Sequence, residues 1–169
     1  MKMKTKLKSK LSRTFSSNFT NAYQKFTMSH MTENSSLPEA YLQKPLDQCK
    51  VALVSTAGVH LKSDEPFDVD NPAGDPSFRI IPADVTEREL TVTHIYFDTK
   101  FAKTDPSIVF PLQQLKESAA DGKIGSVSGV HIGLNGGILD TTIAEQNFIP
   151  KVVKLFHNEG IDAALLVPG

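Results

Sequence analysis

The sequence predicts an α/β domain: a three-layer, Rossmann-like parallel sheet with helices on both faces. Two apolar runs, VALV at 51–54 and AALLV at 163–167, are continuous rather than alternating, as strands covered on both faces require. Helix-period segments separate the strand-like runs, and strand, helix, strand, helix, strand at this spacing builds parallel sheets. The chain has 169 residues, 40% of them apolar, enough for one domain with a core and too few for two.

Residues 1–36 read as a basic arm with no sustained apolar period, the composition of a disordered segment, and residues 37–169 as the domain. The first 32 residues carry seven basic and no acidic side chains, for +7. The remaining 11 basic and 19 acidic residues give −8. A net-acidic domain argues against a nucleic-acid partner, which needs clustered Lys and Arg on the fold itself. The arm also resembles an organelle transit peptide, and Met28 and Met31 are alternative starts. Its Asn18 and Asn34 glycosylation matches carry no meaning in the cytoplasm expected here.

Lone Cys49 excludes an internal disulfide and any cysteine-built zinc or iron–sulfur site, and it fits a reducing cytoplasm. Cys49 precedes the amino end of the first strand and reads as a bystander. No window approaches the roughly 18 apolar residues of a membrane span, so a soluble protein is expected.

The first strand is 50–56, KVALVST, and Ser55-Thr56-Ala57-Gly58 turns out of it. Hydroxyls and free amides in such a turn can hold a carboxylate or phosphate, and Gly58 lets a ligand approach the backbone. The dinucleotide fingerprint GxGxxG is absent. Residues 62–84, punctuated by Pro66, Pro72, Gly74, Pro76 and Pro82, form a long excursion with at most a short strand at 78–81. An excursion of that length is a candidate lid or specificity loop.

A second strand is expected at 90–99, LTVTHIYFDT. A helix then opens at Phe110-Pro111, with Leu112, Leu115 and Ala119 on one face, and closes at Asp121-Gly122. Residues 127–134 form a third strand and Asn135-Gly136-Gly137 a turn. Asp140 or Thr141 caps a helix running to Glu159 with Ile149, Val152, Val153 and Phe156 inward. Pro150 kinks that helix or marks its start. Gly160 ends it, and the last strand runs to Pro168-Gly169. In open parallel sheets chemistry sits beyond the carboxyl ends of strands, so the residue following Gly169 is the expected reactive one.

His94 and Asp98 are the first candidate pair. On a strand four residues span about 13 Å, too far to share one metal ion unless the chain bends after Ile95. A histidine near a strand end beside a carboxylate suits a proton donor to a leaving group. His60 and His131 also fall near strand ends, and a parallel sheet brings such ends to one side. His157, late in a helix, reads as a partner of the helix dipole.

The order of the motifs KPLDQCKVALVSTAGVHL, EPFDVDNPAGDPSFRIIP, THIYFDTKFAKTDPSIVFPLQQLKE, DGKIGS and GIDAALLVPG closely resembles the selenoprotein B family. This family holds the selenocysteine subunits of D-proline, glycine, sarcosine and betaine reductases. The likeness covers about residues 44–169, with EPFD and GDPSFR most similar to the proline reductase member. The resemblance implies a selenocysteine, or a cysteine in its place, directly after Gly169, where a helix N-terminus favours its anion. It implies reductive cleavage of a C–N bond in D-proline, glycine or an N-methylated glycine, a pyruvoyl group on a partner subunit, and a dithiol or thioredoxin-like electron donor. Matching positions imply pocket roles for His94 and Asp98, the catalytic candidates, and for Ser55, Thr56 and Gly58; the convergence of strand ends adds His60 and His131 as substrate-binding candidates.

A chain ending at Gly169 is then expected where the selenocysteine codon is read as a stop. Such a fragment is expected to be inactive alone, with a sheet incomplete at its C-terminus and apolar surface exposed. Two other readings use the same residues. One is a truncated, non-catalytic relative binding a small amino-acid-like carboxylate at 55–58. The other is a metal-dependent hydrolase using the three histidines.

Overall fold

A computed structural model describes residues 2–19, 21–22, 24–25, 28, 40–138 and 141–169. Its centre is β1 (Lys50–Ser55), whose residues after Lys50 are all buried. That is the outcome of a continuous apolar run: Val51 and Leu53 face one side, Ala52 and Val54 the other, and both sides are covered.

Short β2 (Val59–Leu61) and β4 (Leu90–Val92) pair antiparallel as a separate two-stranded ribbon, while β3 (Phe78–Pro82) joins the main sheet. The main sheet runs β3, β6 (Val130–Leu134), β1, β7 (Ala163–Val167). β6 and β7 are parallel to β1, and β3 lies antiparallel on β6. β5 (Ser126–Val127) pairs with the same edge of β1 as β6, with Ser128-Gly129 as an interruption between them. The fold is therefore mixed α/β with a mostly parallel sheet, as the sequence predicts, plus one antiparallel edge.

Helix α2 (Lys100–Thr104) and α3 (Leu112–Ala120) cover one face, burying Ala102, Leu112 and Leu115 against Val51, Leu53 and Phe110. Pro111 stands at the N-cap of α3 and Gly122 follows it with φ +73°, the expected start and stop. A turn at Thr141–Ile143 and a π-helical stretch at Ala144–Phe148 lead into α4 (Ile149–Asn158). Pro150 occupies the first turn of α4 and so marks its start. The π stretch buries Ala144 and Phe148, and Phe148 packs against Phe78 at 6.4 Å between ring centroids. Its wider turn shifts the apolar stripe. Ile149 and Val153, expected inward, are consequently exposed, and Val152 and Phe156 are half-buried. Thr141 begins the turn, whereas Asp140 lies outside the described residues.

The second expected strand is shorter than the sequence suggests. β4 stops at Val92 and the chain bends through residues 95–97, with Ile95 buried in the bend. Ile95 and Phe97 supply the alternating apolar pattern that reads as a strand, and burial by a bend satisfies it equally well.

Within the segment 1–36, where the sequence shows no apolar period, α1 (Met3–Asn18) is helical. Its start docks on the excursion: the Lys2 amide donates to both Asp70 carboxylate oxygens (3.0 and 3.1 Å), and the Thr5 hydroxyl donates to the same carboxylate. Lys8 Nζ lies 5.8 Å from the centroid of the Tyr96 ring. No helix among the described residues is long and apolar enough to cross a membrane.

Candidate functional site

The loop after β1 is where three segments meet. Thr56 N–H donates to Val167 O (3.0 Å), its carbonyl accepts from Gly136 N–H (2.7 Å), and its Oγ1 accepts from Gly169 N–H (3.1 Å). Ala57 N–H donates to buried Ser55 Oγ (3.3 Å). Gly58 N–H donates to Leu134 O (2.7 Å), and its carbonyl accepts from Thr93 N–H (2.9 Å). The amides of Thr56, Ala57 and Gly58 are thus all engaged within the protein. Their work is to bind the ends of β6, β7 and β4 to the end of β1.

Only glycine fits two of these positions. Gly58 has φ +76°, and a Cβ there would come 2.1 Å from Thr93 O. A Cβ at Gly169 would come 2.2 Å from Ala57 Cα, so the backbone leaving β7 lies directly on the β1 loop. His94 Cβ lies 3.6 Å from the same Gly58 position. The end of β7 and His94 therefore flank Ala57 and Gly58, which are neighbours in sequence.

His94 Nδ1 accepts from Tyr96 N–H (3.1 Å), which places the ring proton on Nε2. Nε2 is buried and has no partner among the described residues. Burial lowers the His94 pKa to about 4, so the ring is neutral at neutral pH. Asp98 lies beyond the bend, exposed, with Oδ1 accepting from Lys100 N–H (3.1 Å) at the start of α2.

His60, buried, donates from Nδ1 to Leu61 O (2.7 Å) and accepts at Nε2 from the Thr93 hydroxyl (2.9 Å). Desolvation, the largest influence on it, lowers its pKa. It therefore stands behind Thr93, next to His94. His131 sits at mid-strand instead: its Nδ1 accepts from Leu53 N–H (2.9 Å), filling the gap that the Ser128-Gly129 interruption leaves in the ladder. Burial first, and Lys116 second, lower its pKa to about 4. Cys49 is buried at the amino end of β1 with Sγ against Pro45 O (3.3 Å), and exposed His157 lies in the last turn of α4. Among the described residues, no group of three His, Cys, Asp or Glu is placed to hold a metal ion.

A cavity of about 350 Å³ opens beside His94, walled by residues 66–70 of the excursion and by Thr93, Phe97, Thr99 and Lys103. The excursion is held in shape from within. Asp75 accepts from Asp68 N–H (2.7 Å), Ser77 N–H (2.9 Å) and Ser77 Oγ (2.5 Å). Burial alone would raise the Asp75 pKa, but these bonds outweigh it and keep the carboxyl below its usual value. The Arg79 guanidinium sits 4.5 Å over the Phe67 ring and donates to Glu65 O (3.0 Å). Lys103 and Phe97 lie within the THIYFDTKFAKTDPSIVFPLQQLKE motif, but nothing in their spacing singles them out, since a lysine on a five-residue helix leaves no periodic signal.

The sequence matches the family described as glycine/sarcosine/betaine reductase selenoprotein B over residues 19–168. It is 36% identical over 126 residues to the D-proline reductase subunit gamma of Acetoanaerobium sticklandii, covering 75% of this chain and 51% of that protein. The chain thus spans about half the length of the curated relative it matches. No solved structure matches.

Proposed function

Because the chain belongs to the glycine/sarcosine/betaine reductase selenoprotein B family, we propose that it is a subunit, or part of one, of a selenocysteine- or cysteine-dependent reductase. The substrate is D-proline, glycine or an N-methylated glycine, and the reaction breaks a C–N bond. The observation that carries this reading is the seating of the β7 end on the β1 loop beside His94 and its cavity.

The donor set fits a nucleophile continuing from β7. Thr56 Oγ1 and the Ala57 backbone hold Gly169 on the β1 loop, one residue from the Gly58 position that His94 flanks. A selenolate or thiolate there supplies the nucleophile for the carbon bearing nitrogen, and a pyruvoyl carbonyl on a partner subunit supplies the electrophile that holds the substrate amine.

The chain's own residues orient and exclude water. Neutral His94 is the candidate hydrogen-bond donor beside this point: its Nε2–H, closed off from solvent and unpartnered among the described residues, meets the reacting centre once the site is assembled with substrate and partner. Asp98 positions α2, and Ser55, Thr56 and Gly58 hold the strand ends in register. His60 fixes Thr93, and His131 keeps β1 and β6 paired. In the balanced reaction carbon and nitrogen each gain one hydrogen. A dithiol, or a thioredoxin-like protein, loses two electrons and two protons to become a disulfide.

The test uses the full-length protein with its partner subunit, D-proline and a dithiol. The ring opens to 5-aminopentanoate with one disulfide formed per molecule of product. No product from D-proline, nor from glycine or its N-methylated forms offered in its place, or product without dithiol oxidation, refutes the reading.

A further inference from the structure

Helix α1 has two unlike faces. Thr5 is buried, and its hydroxyl together with the Lys2 amide holds Asp70 of the excursion, so this side of the helix lies on the domain. Lys8 Nζ over the Tyr96 ring is a second anchor farther along. Met3, Leu7 and Leu11 recur every four residues and so form one stripe over two turns, about 12 Å long at 1.5 Å per residue. Thr5 is two positions from both Met3 and Leu7, roughly half a turn around the helix, so the stripe points away from the domain. Its three side chains are 85%, 59% and 61% exposed. The contact that docks the helix therefore turns its large aliphatic side chains outward, where none of the described residues covers them.

Charge completes the pattern. Lys4 and Lys8 border the stripe on one side and Lys6 and Lys10 on the other, all four exposed, and α1 holds five basic and no acidic side chains. A nucleic acid uses such lysines on its phosphates but leaves an aliphatic stripe in water. A bilayer with anionic headgroups uses both: its phosphates meet the ammonium groups, the stripe enters the acyl boundary, and the lysine stems reach back to the surface. Residues 33–169 carry −8 and have no net attraction for such a surface, so the helix must carry the contact. We propose that α1 is a peripheral docking helix for an anionic membrane surface, lying in the interface on Met3, Leu7 and Leu11 with Lys4, Lys6 and Lys10 on the headgroups. The helix lies on the bilayer without spanning it, and the contact does not depend on the reductase reading.

Flotation of the full-length, partner-assembled protein with lipid vesicles tests this. In about 0.1 M salt the protein binds vesicles of equal parts phosphatidylglycerol and phosphatidylcholine roughly tenfold or more tightly than phosphatidylcholine alone, and about 0.5 M salt abolishes the difference. Leu7→Gln combined with Leu11→Gln keeps the charge and a good helix former at each position, and weakens binding to the anionic vesicles by roughly tenfold or more. Lys6→Gln combined with Lys10→Gln weakens it by a similar factor. Both variants keep the wild-type circular dichroism and thermal midpoint, because neither touches Thr5, Asp70 or the core. No flotation, equal flotation with neutral vesicles, or a leucine variant that floats as wild type does overturns the proposal. Self-association in sedimentation velocity that the leucine substitutions abolish, without vesicle binding, also overturns it and gives the stripe to a second copy of the chain.

Discussion

Buried His131 and half-buried His94 are neutral imidazoles whose folded pKa values of about 4 lie below the ordinary 6.5. The unfolded chain binds more protons at each, so stability is fully present above pH 6.5 and is lost as pH falls from there toward 4. A shift of that size corresponds to roughly 3 kcal/mol per histidine at most. Denaturant midpoints measured from pH 7.5 to 4.5 should therefore fall steadily. His131→Phe is expected to cost about 1–3 kcal/mol at pH 7.5, because Leu53 N–H is left buried without an acceptor, and to flatten the acid dependence. An unchanged slope would show that His131 does not titrate as its burial requires. The sequence marked this histidine by its place near a strand end, but a bond to a neighbouring strand's amide depends on register, which no local pattern carries.

At the scale of elements, the loop 55–58 decides where every strand end goes. Gly58→Ala must place a Cβ 2.1 Å from Thr93 O at φ +76°, and left-handed backbone alone costs a non-glycine residue roughly 1–2 kcal/mol. A loss of about 2–4 kcal/mol in urea unfolding is expected, with the β2–β4 ribbon losing amide protection first. A loss under about 0.5 kcal/mol would mean that the ribbon is not tied to β1 through Gly58. β1, β6 and β7 were legible because continuous or nearly continuous apolar runs need two covered faces. β4 was legible as the start of the expected 90–99 strand, but β2 and its pairing with β4 were not, since a three-residue strand has too few side chains to show a period. The excursion was recognisable from its prolines and length, whereas its internal order comes from Asp75 and Arg79 meeting distant backbone, and spacing does not encode that.

Across the whole molecule, β7 is covered unevenly: Leu165 is 45% and Leu166 70% exposed, on a strand that among the described residues pairs with β1 alone. An exposed apolar strand edge favours association between molecules. Leu166→Lys should reduce self-association in sedimentation velocity while changing stability by no more than about 0.5 kcal/mol. Unchanged association would place the contact elsewhere. The same strand bears on the proposed function, because its carboxyl end lies on Ala57, next to the Gly58 position that His94 flanks. The most direct measurement is the D-proline turnover rate of the full-length, partner-assembled protein carrying His94→Phe, with its fold verified by circular dichroism. Loss of a hydrogen-bond donor at the proposed reacting centre predicts a fall in kcat of roughly a hundredfold. A wild-type rate from a correctly folded variant would contradict the account.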